Sequence, residues 1–162
     1  MRSFIDSILR HSIVFLMGIL VVDVFWQVFS RYILANPSTF TDELAGFLLI
    51  WVSLLGAAYM SGQNRHIAIT LLPDNLSEKA NTKLQIVIHL LVIIFVILVF
   101  VIGGGRLVIN TYNFHQITPS LQIPMAVIYM IGPVSGLLII YYKISDLLNL
   151  LSANKNNNAK ST

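Results

Sequence analysis

The chain has 162 residues, of which 56% are hydrophobic and only 10% charged. A soluble domain carries about a quarter charged residues, so with a mean hydropathy of +0.79 this is the composition of an integral membrane protein. The absence of cysteine excludes a disulfide framework, a thiol nucleophile and a cysteine-bound metal or iron–sulfur cluster. The net charge of +3 comes from scattered residues that sort by membrane side, which makes them topology signals and not a nucleic-acid footprint.

A hydrocarbon core about 30 Å thick needs roughly 20 apolar helical residues, and four stretches meet that length. The first, about 12–33, contains Asp23 and is closed by Arg31. It is too long for a signal-peptide core and no small-residue cleavage site follows it, so a permanent anchor is expected. A charge-free second stretch predicts a helix over about 41–63, and a third predicts one over about 84–108 with His89 inside it. After Arg106 the chain is uncharged as far as Tyr142, but Pro119, Pro124 and Pro133 divide that run into a loop and a fourth helix over about 125–150. Residues 1–151 thus form one all-α membrane domain, a four-helix bundle, and 152–162 read as a polar, disordered tail. Arg2, Arg10, Arg65, Lys79, Lys83, Lys143, Lys155 and Lys160 fall on the side of both termini, against Arg31 and Arg106 on the other. That asymmetry orients both termini to the cytoplasm.

Asp23, Gln27 and Arg31 recur at i, i+4 and i+8 and so form one polar stripe along the first helix. A charge near mid-membrane costs about 2.5–3.5 kcal/mol on the insertion scale, so the stripe faces protein or water. A proton relay needs a second intramembrane acid, and none is available to continue it. Packing against a partner helix or pairing within the bundle is the better account. His89, one turn after Gln85, is expected to make an interhelical hydrogen bond, since no other ligand stands at metal spacing.

Gly103 to Arg106, "GGGR", lacks the spacing and the Lys-Ser/Thr of a phosphate loop, and close helix approach or a flexible helix end explains it. Gly132 and Gly136 give a small-residue packing face on the fourth helix, as Ser53, Ala57 and Ser61 do on the second. Between the first two helices, Asn36-Pro37 is a stop, and Thr39 with Asp42 three residues on resembles a capping box. Asp42 and Glu43 suit the positive end of that helix dipole, and a short loop is expected to bring Arg31 close to them.

Arg31, Phe40, Asp42-Glu43, Leu55-Gly56, His66-Ile67 and Leu121-Gln122-Ile123-Pro124 stand in an order and spacing that resemble the small membrane subunit of tripartite ATP-independent periplasmic (TRAP) transporters. The resemblance covers about residues 10–145, and residue for residue it runs to the small subunits of sialic-acid systems. It departs from the family pattern at Phe40, where tryptophan is commoner, and at Thr70, where an aspartate often stands; Thr70 is given no role.

The resemblance implies a three-part system for organic-acid uptake. A periplasmic substrate-binding protein captures the acid, a large membrane subunit carries it with sodium, and the small subunit binds the large one and widens its fixed scaffold. On that reading Asp23, Gln27, Arg31, Asp42, Glu43, His66 and His89 are interface or structural polar residues, and Gly56, Gly132 and Gly136 serve helix packing. Membrane lipid is a further partner and nucleic acid is not. No catalytic, cofactor or metal site is expected, and no enzymatic activity. The residues support the same division of labour, since the chain lacks the paired broken helices of a self-sufficient carrier. The alternative from another class is a stand-alone oligomeric four-helix channel or small exporter.

Overall fold

The computed structural model describes residues 2–63 and 78–160, and the side chains of 2–63 and 81–152. Helix α1 spans Arg2–Tyr32 and α2 spans Thr39–Gln63. The third crossing has three parts: α3 over Glu78–Val96, a π-helical segment over Ile97–Gly103 and α4 over Gly104–Asn113. The fourth comprises α5 over Met125–Tyr129 and α6 over Ile131–Lys160. All four crossings are long and apolar enough to span a membrane. Among the described residues there is no strand beyond an isolated bridge between Ile117 and Pro124.

Two bounds differ from the sequence expectation. α1 begins at Arg2, ten residues before the apolar window, because Arg2, Asp6 and Arg10 recur every fourth residue and extend the same helix beyond its hydrocarbon-length core. α6 runs on to Lys160, into the stretch expected to be disordered. A helix already formed over its apolar turns adds each further residue at little cost, nucleation being the unfavourable step.

The helices are not equivalent. α1 packs on α2, α2 on α6, and α6 on α3 and the π segment, so that α2 and α6 form a central pair flanked by the other two crossings. In the most apolar stretch of the fourth span 33% of residues are buried, against 6% in the first and third. Leu9, Leu55, Ile131 and Tyr142 form one core cluster between α1, α2 and α6; Ala58, Val96 and Ile139 form another between α2, α3 and α6.

Three glycines set the close approaches. A Cβ at Gly136 would meet Phe100 Cβ at 2.7 Å, one at Gly104 would meet the Pro133 ring at 3.1 Å, and one at Gly62 would meet the Tyr142 ring at 2.7 Å. Of the "GGG" run, therefore, Gly104 is the one pressed against a neighbouring helix. Pro133 also explains the step between α5 and α6. Its ring cannot donate to, and crowds, the carbonyl four residues earlier, and the chain turns at Met130. The nearby Ile128 carbonyl accepts the Trp51 indole N–H of α2 at 3.2 Å.

Candidate functional site

The polar side chains gather at the two ends of the bundle. At the end carrying the α1–α2 turn, α1 closes after Tyr32 and the chain turns through Ala35, which has a φ of +49°. The Asn36 N–H closes that turn on the Ser30 carbonyl at 3.1 Å. The next helix starts at Thr39, with the Ser38 carbonyl accepting the Thr41 hydroxyl at 3.0 Å and the Asp42 N–H at 3.4 Å.

The stripe on α1 divides in two. Asp23 is buried, and Gln27 joins it to α2: the Gln27 amide donates to the Thr41 carbonyl at 2.7 Å and lies 3.5 Å from Asp23 Oδ2. Arg31, one turn further, stands in the open and approaches Asp42 at 3.8 Å, with both side chains about half exposed, 55% and 51%. The expected approach of Arg31 to the acids is thus made by Asp42 alone, whose carboxylate turns to the arginine.

Glu43 points elsewhere. Its carboxylate accepts the backbone N–H groups of Ser120 and Leu121 at 2.9 and 2.8 Å, in the loop leading to the fourth crossing. That loop is closed from both sides. α4 ends in a Schellman turn, with His115 at a φ of +48°, the His115 N–H on the Tyr112 carbonyl at 3.0 Å and the Gln116 N–H on the Thr111 carbonyl at 3.1 Å. Thr118, fully buried, exchanges backbone and hydroxyl hydrogen bonds with Ile123, around Gln122 at a φ of +55°. Glu43 therefore ties α2 to the segment Leu121-Gln122-Ile123-Pro124, two motifs that are far apart in the chain.

The opposite end holds a network that sequence reasoning missed. The Arg2 guanidinium donates to Asp146 at 2.8 Å and to the Gly62 carbonyl, and lies 5.3 Å from the centre of the Tyr142 ring. The Tyr142 hydroxyl donates to Asp6, so α1, α2 and α6 are joined at one point. The signal was present as Arg2 with Asp6, and Tyr142 with Asp146, each four apart on one helix face. Charges at helix ends also mark topology, so the spacing alone does not single out this network.

His89 is half-buried on α3. Among the described residues its Nδ1 finds no hydrogen-bond partner, and neither does the buried Ser61 hydroxyl. Any interhelical hydrogen bond of His89 is thus not formed through Nδ1; Gln85, the neighbour one turn away, is 3.4 Å from Asn81. His66 lies outside the described residues, as do Thr70 and Arg65. Among the described residues nothing comes within 4 Å of an added Cβ at Gly56 or Gly132, so of the three expected packing glycines Gly136 alone meets a neighbour there. Among the described residues no group of three His, Asp or Glu side chains is placed to hold a metal ion. The polar groups that are satisfied hold helix ends and loops to one another.

The sequence comparisons agree with this architecture. The family model for the DctQ component of tripartite ATP-independent periplasmic transporters matches residues 20–153. The chain is 28% identical to the sialic acid TRAP transporter small permease protein SiaQ of Vibrio cholerae, over 93% of this chain and 86% of the relative. It is 23% identical to a putative TRAP transporter small permease protein of Haemophilus influenzae, over 93% of this chain and 94% of the relative. With four membrane-length helices and a family match across most of its length, the chain belongs to the DctQ family: it is a multi-pass small permease subunit of a TRAP transporter in the bacterial inner membrane, and not an enzyme.

Proposed function

We propose that this subunit binds the large membrane subunit of its transporter and stabilises it as part of the fixed scaffold, in sodium-coupled uptake of an organic acid captured by a periplasmic binding protein. Sialic acid is the proposed substrate, supported by the relative named as a small permease of a sialic acid transporter. Both termini are proposed to face the cytoplasm, which places the α1–α2 turn and the Glu43-bound loop at the periplasmic surface.

The observation that carries the docking role is the division of α1. Its polar residues Asp23 and Ser30 are buried, while Phe15, Phe25 and Trp26 are 68%, 77% and 51% exposed on its outer side. Helices in lipid associate by close packing and not by escape from water, so the middle of an outer helix, with Asp23 and Ser30 turned inward, presents an apolar wall suited to a second membrane protein. Asp23, Gln27, Arg31, Asp42 and Glu43 act on this reading as structural groups that fix the angle of α1 and α2 behind that wall.

Reconstitution tests the role. Proteoliposomes holding the large subunit and the binding protein should take up sialic acid under a sodium gradient only when this chain is present, and unlabelled C4-dicarboxylate should not compete. Equal uptake without the chain would remove the proposed role; competition by the dicarboxylate would leave the role and change the substrate.

A further inference from the structure

α4 has an inner and an outer side. Gly104 is pressed against Pro133, and Thr111, seven residues on and at nearly the same rotation, is buried. Arg106 lies two residues from Gly104, about 200° round the helix, and is exposed. Asn110 and Asn113 follow one and two turns later on the same outward side and are exposed as well. Around them the exposed surface is apolar, with Ile102, Leu107 and Ile109 at 44%, 48% and 59%. Among the described residues the two ion pairs are Arg2–Asp146 and Arg31–Asp42, so no acid there pairs with Arg106. A guanidinium thus stands in an apolar wall with two carboxamides leading from it to the helix end.

Depth selects the anion. Arg106 is seven residues before Asn113, about 10 Å along the axis at 1.5 Å per residue. Tyr112 and Phe114, 70% and 74% exposed, mark the helix end with the aromatic residues found at a membrane–water boundary. An arginine side chain covers most of that drop by snorkelling towards the boundary. The polar groups also rise with it, whereas an ion pair with a partner helix needs enclosure and further hydrogen bonds at the depth of the charge itself.

We propose that Arg106, with Asn110 and Asn113, seats the phosphodiester of a membrane phospholipid in the leaflet at this end of the bundle. The planar guanidinium takes two phosphate oxygens together, and the carboxamide N–H groups donate to the remaining phosphate or glycerol ester oxygens. The π segment just before α4 belongs to this arrangement. Its wider turn alters the rotation of α4 relative to α3, so that Gly104 meets Pro133 while Arg106 faces outward. The site is independent of the substrate the transporter carries.

The complete transporter, purified in mild detergent, provides the test by native mass spectrometry during titration with phosphatidylglycerol, with diacylglycerol as the phosphate-free probe. The wild type should retain phosphatidylglycerol over diacylglycerol, and Arg106→Gln should weaken one phosphatidylglycerol site about tenfold, a charged bidentate contact being among the stronger hydrogen bonds. Arg106→Lys should restore part of the affinity, with the large subunit co-purifying at the wild-type level in both variants. Equal phosphatidylglycerol retention by wild type and Arg106→Gln overturns the proposal. So does loss of the large subunit from Arg106→Gln with lipid retention unchanged, which would assign the guanidinium to a carboxylate of that subunit.

Discussion

Glu43, in the first turns of α2, holds the backbone N–H of Leu121 at 2.8 Å. The contact joins the acid pair that opens the second helix to the loop that precedes the fourth crossing, and the adjacent Ser120 N–H shares the same oxygen. A helix N-terminus already favours an acid there, but its partner is the neighbouring loop and not its own helix.

Replacing Glu43 with alanine removes the acceptor from two amides. Hydrogen bonds to a charged group contribute about 1.5–3 kcal/mol each, reduced here because the Ser120 contact is exposed. The expected result is a loss on the order of 1–3 kcal/mol in stability, with faster hydrogen exchange at Ser120 and Leu121. Unchanged exchange at those two amides would show that the loop holds itself.

Arg31 and Asp42 are a different case, since both are about half exposed and 3.8 Å apart. Exposed pairs contribute about 0.2–1 kcal/mol, so a double-mutant cycle of Arg31→Ala with Asp42→Ala should give a coupling within that range. The cycle of Arg31→Ala with Glu43→Ala should be additive within about 0.5 kcal/mol, because the two groups share no partner. A larger coupling for Arg31 with Glu43 than with Asp42 would contradict the observed pairing.

Much of this architecture is legible in the sequence, for reasons that differ between elements. The four crossings follow from the length of apolar runs, three of them free of charge and the first interrupted by Asp23, and the loop after α4 follows from Pro119 and Pro124. The true start of α1 does not, because a search for hydrocarbon-length windows discards Arg2, Asp6 and Arg10 although they continue the helix. The π segment leaves no periodicity to detect; within it Phe100 lies against Gly136 of another crossing. The partner of Glu43 is equally hidden, since pairing between an acid and a distant backbone amide is a property of the packed helices. That Gly62, and not Gly56, would meet the Tyr142 ring is likewise decided by how α2 and α6 cross.

That glycine contrast is testable. Gly62→Ala puts a methyl group 2.7 Å from the Tyr142 ring, and overpacking of this kind costs about 1–3 kcal/mol. Gly56→Ala and Gly132→Ala meet nothing within 4 Å among the described residues and should leave the isolated chain at least as stable as the wild type, gaining up to about 1 kcal/mol from the lower entropy of the unfolded chain. A stable Gly56→Ala variant that nevertheless loses the large subunit would place a partner helix against Gly56.

Topology is open to direct labelling. Asn36 and His115 are exposed in the two loops at one end, and Lys83 is exposed near the other. With both termini cytoplasmic, Asn36→Cys and His115→Cys should react with an impermeant thiol reagent in intact spheroplasts, and Lys83→Cys should react only after lysis. The reverse pattern would invert the subunit in the membrane.

Affinity purification from membranes through a tag on this chain tests most directly whether it works as a docked subunit. A stable complex with one much larger membrane protein in equal amount is expected, formed by wild type and weakened by polar substitution on the outer face of α1, as in Phe25→Asn. Recovery of the chain as a homo-oligomer free of any larger membrane protein, conducting ions or solutes by itself in liposomes, would rule out the docked role and establish the channel instead.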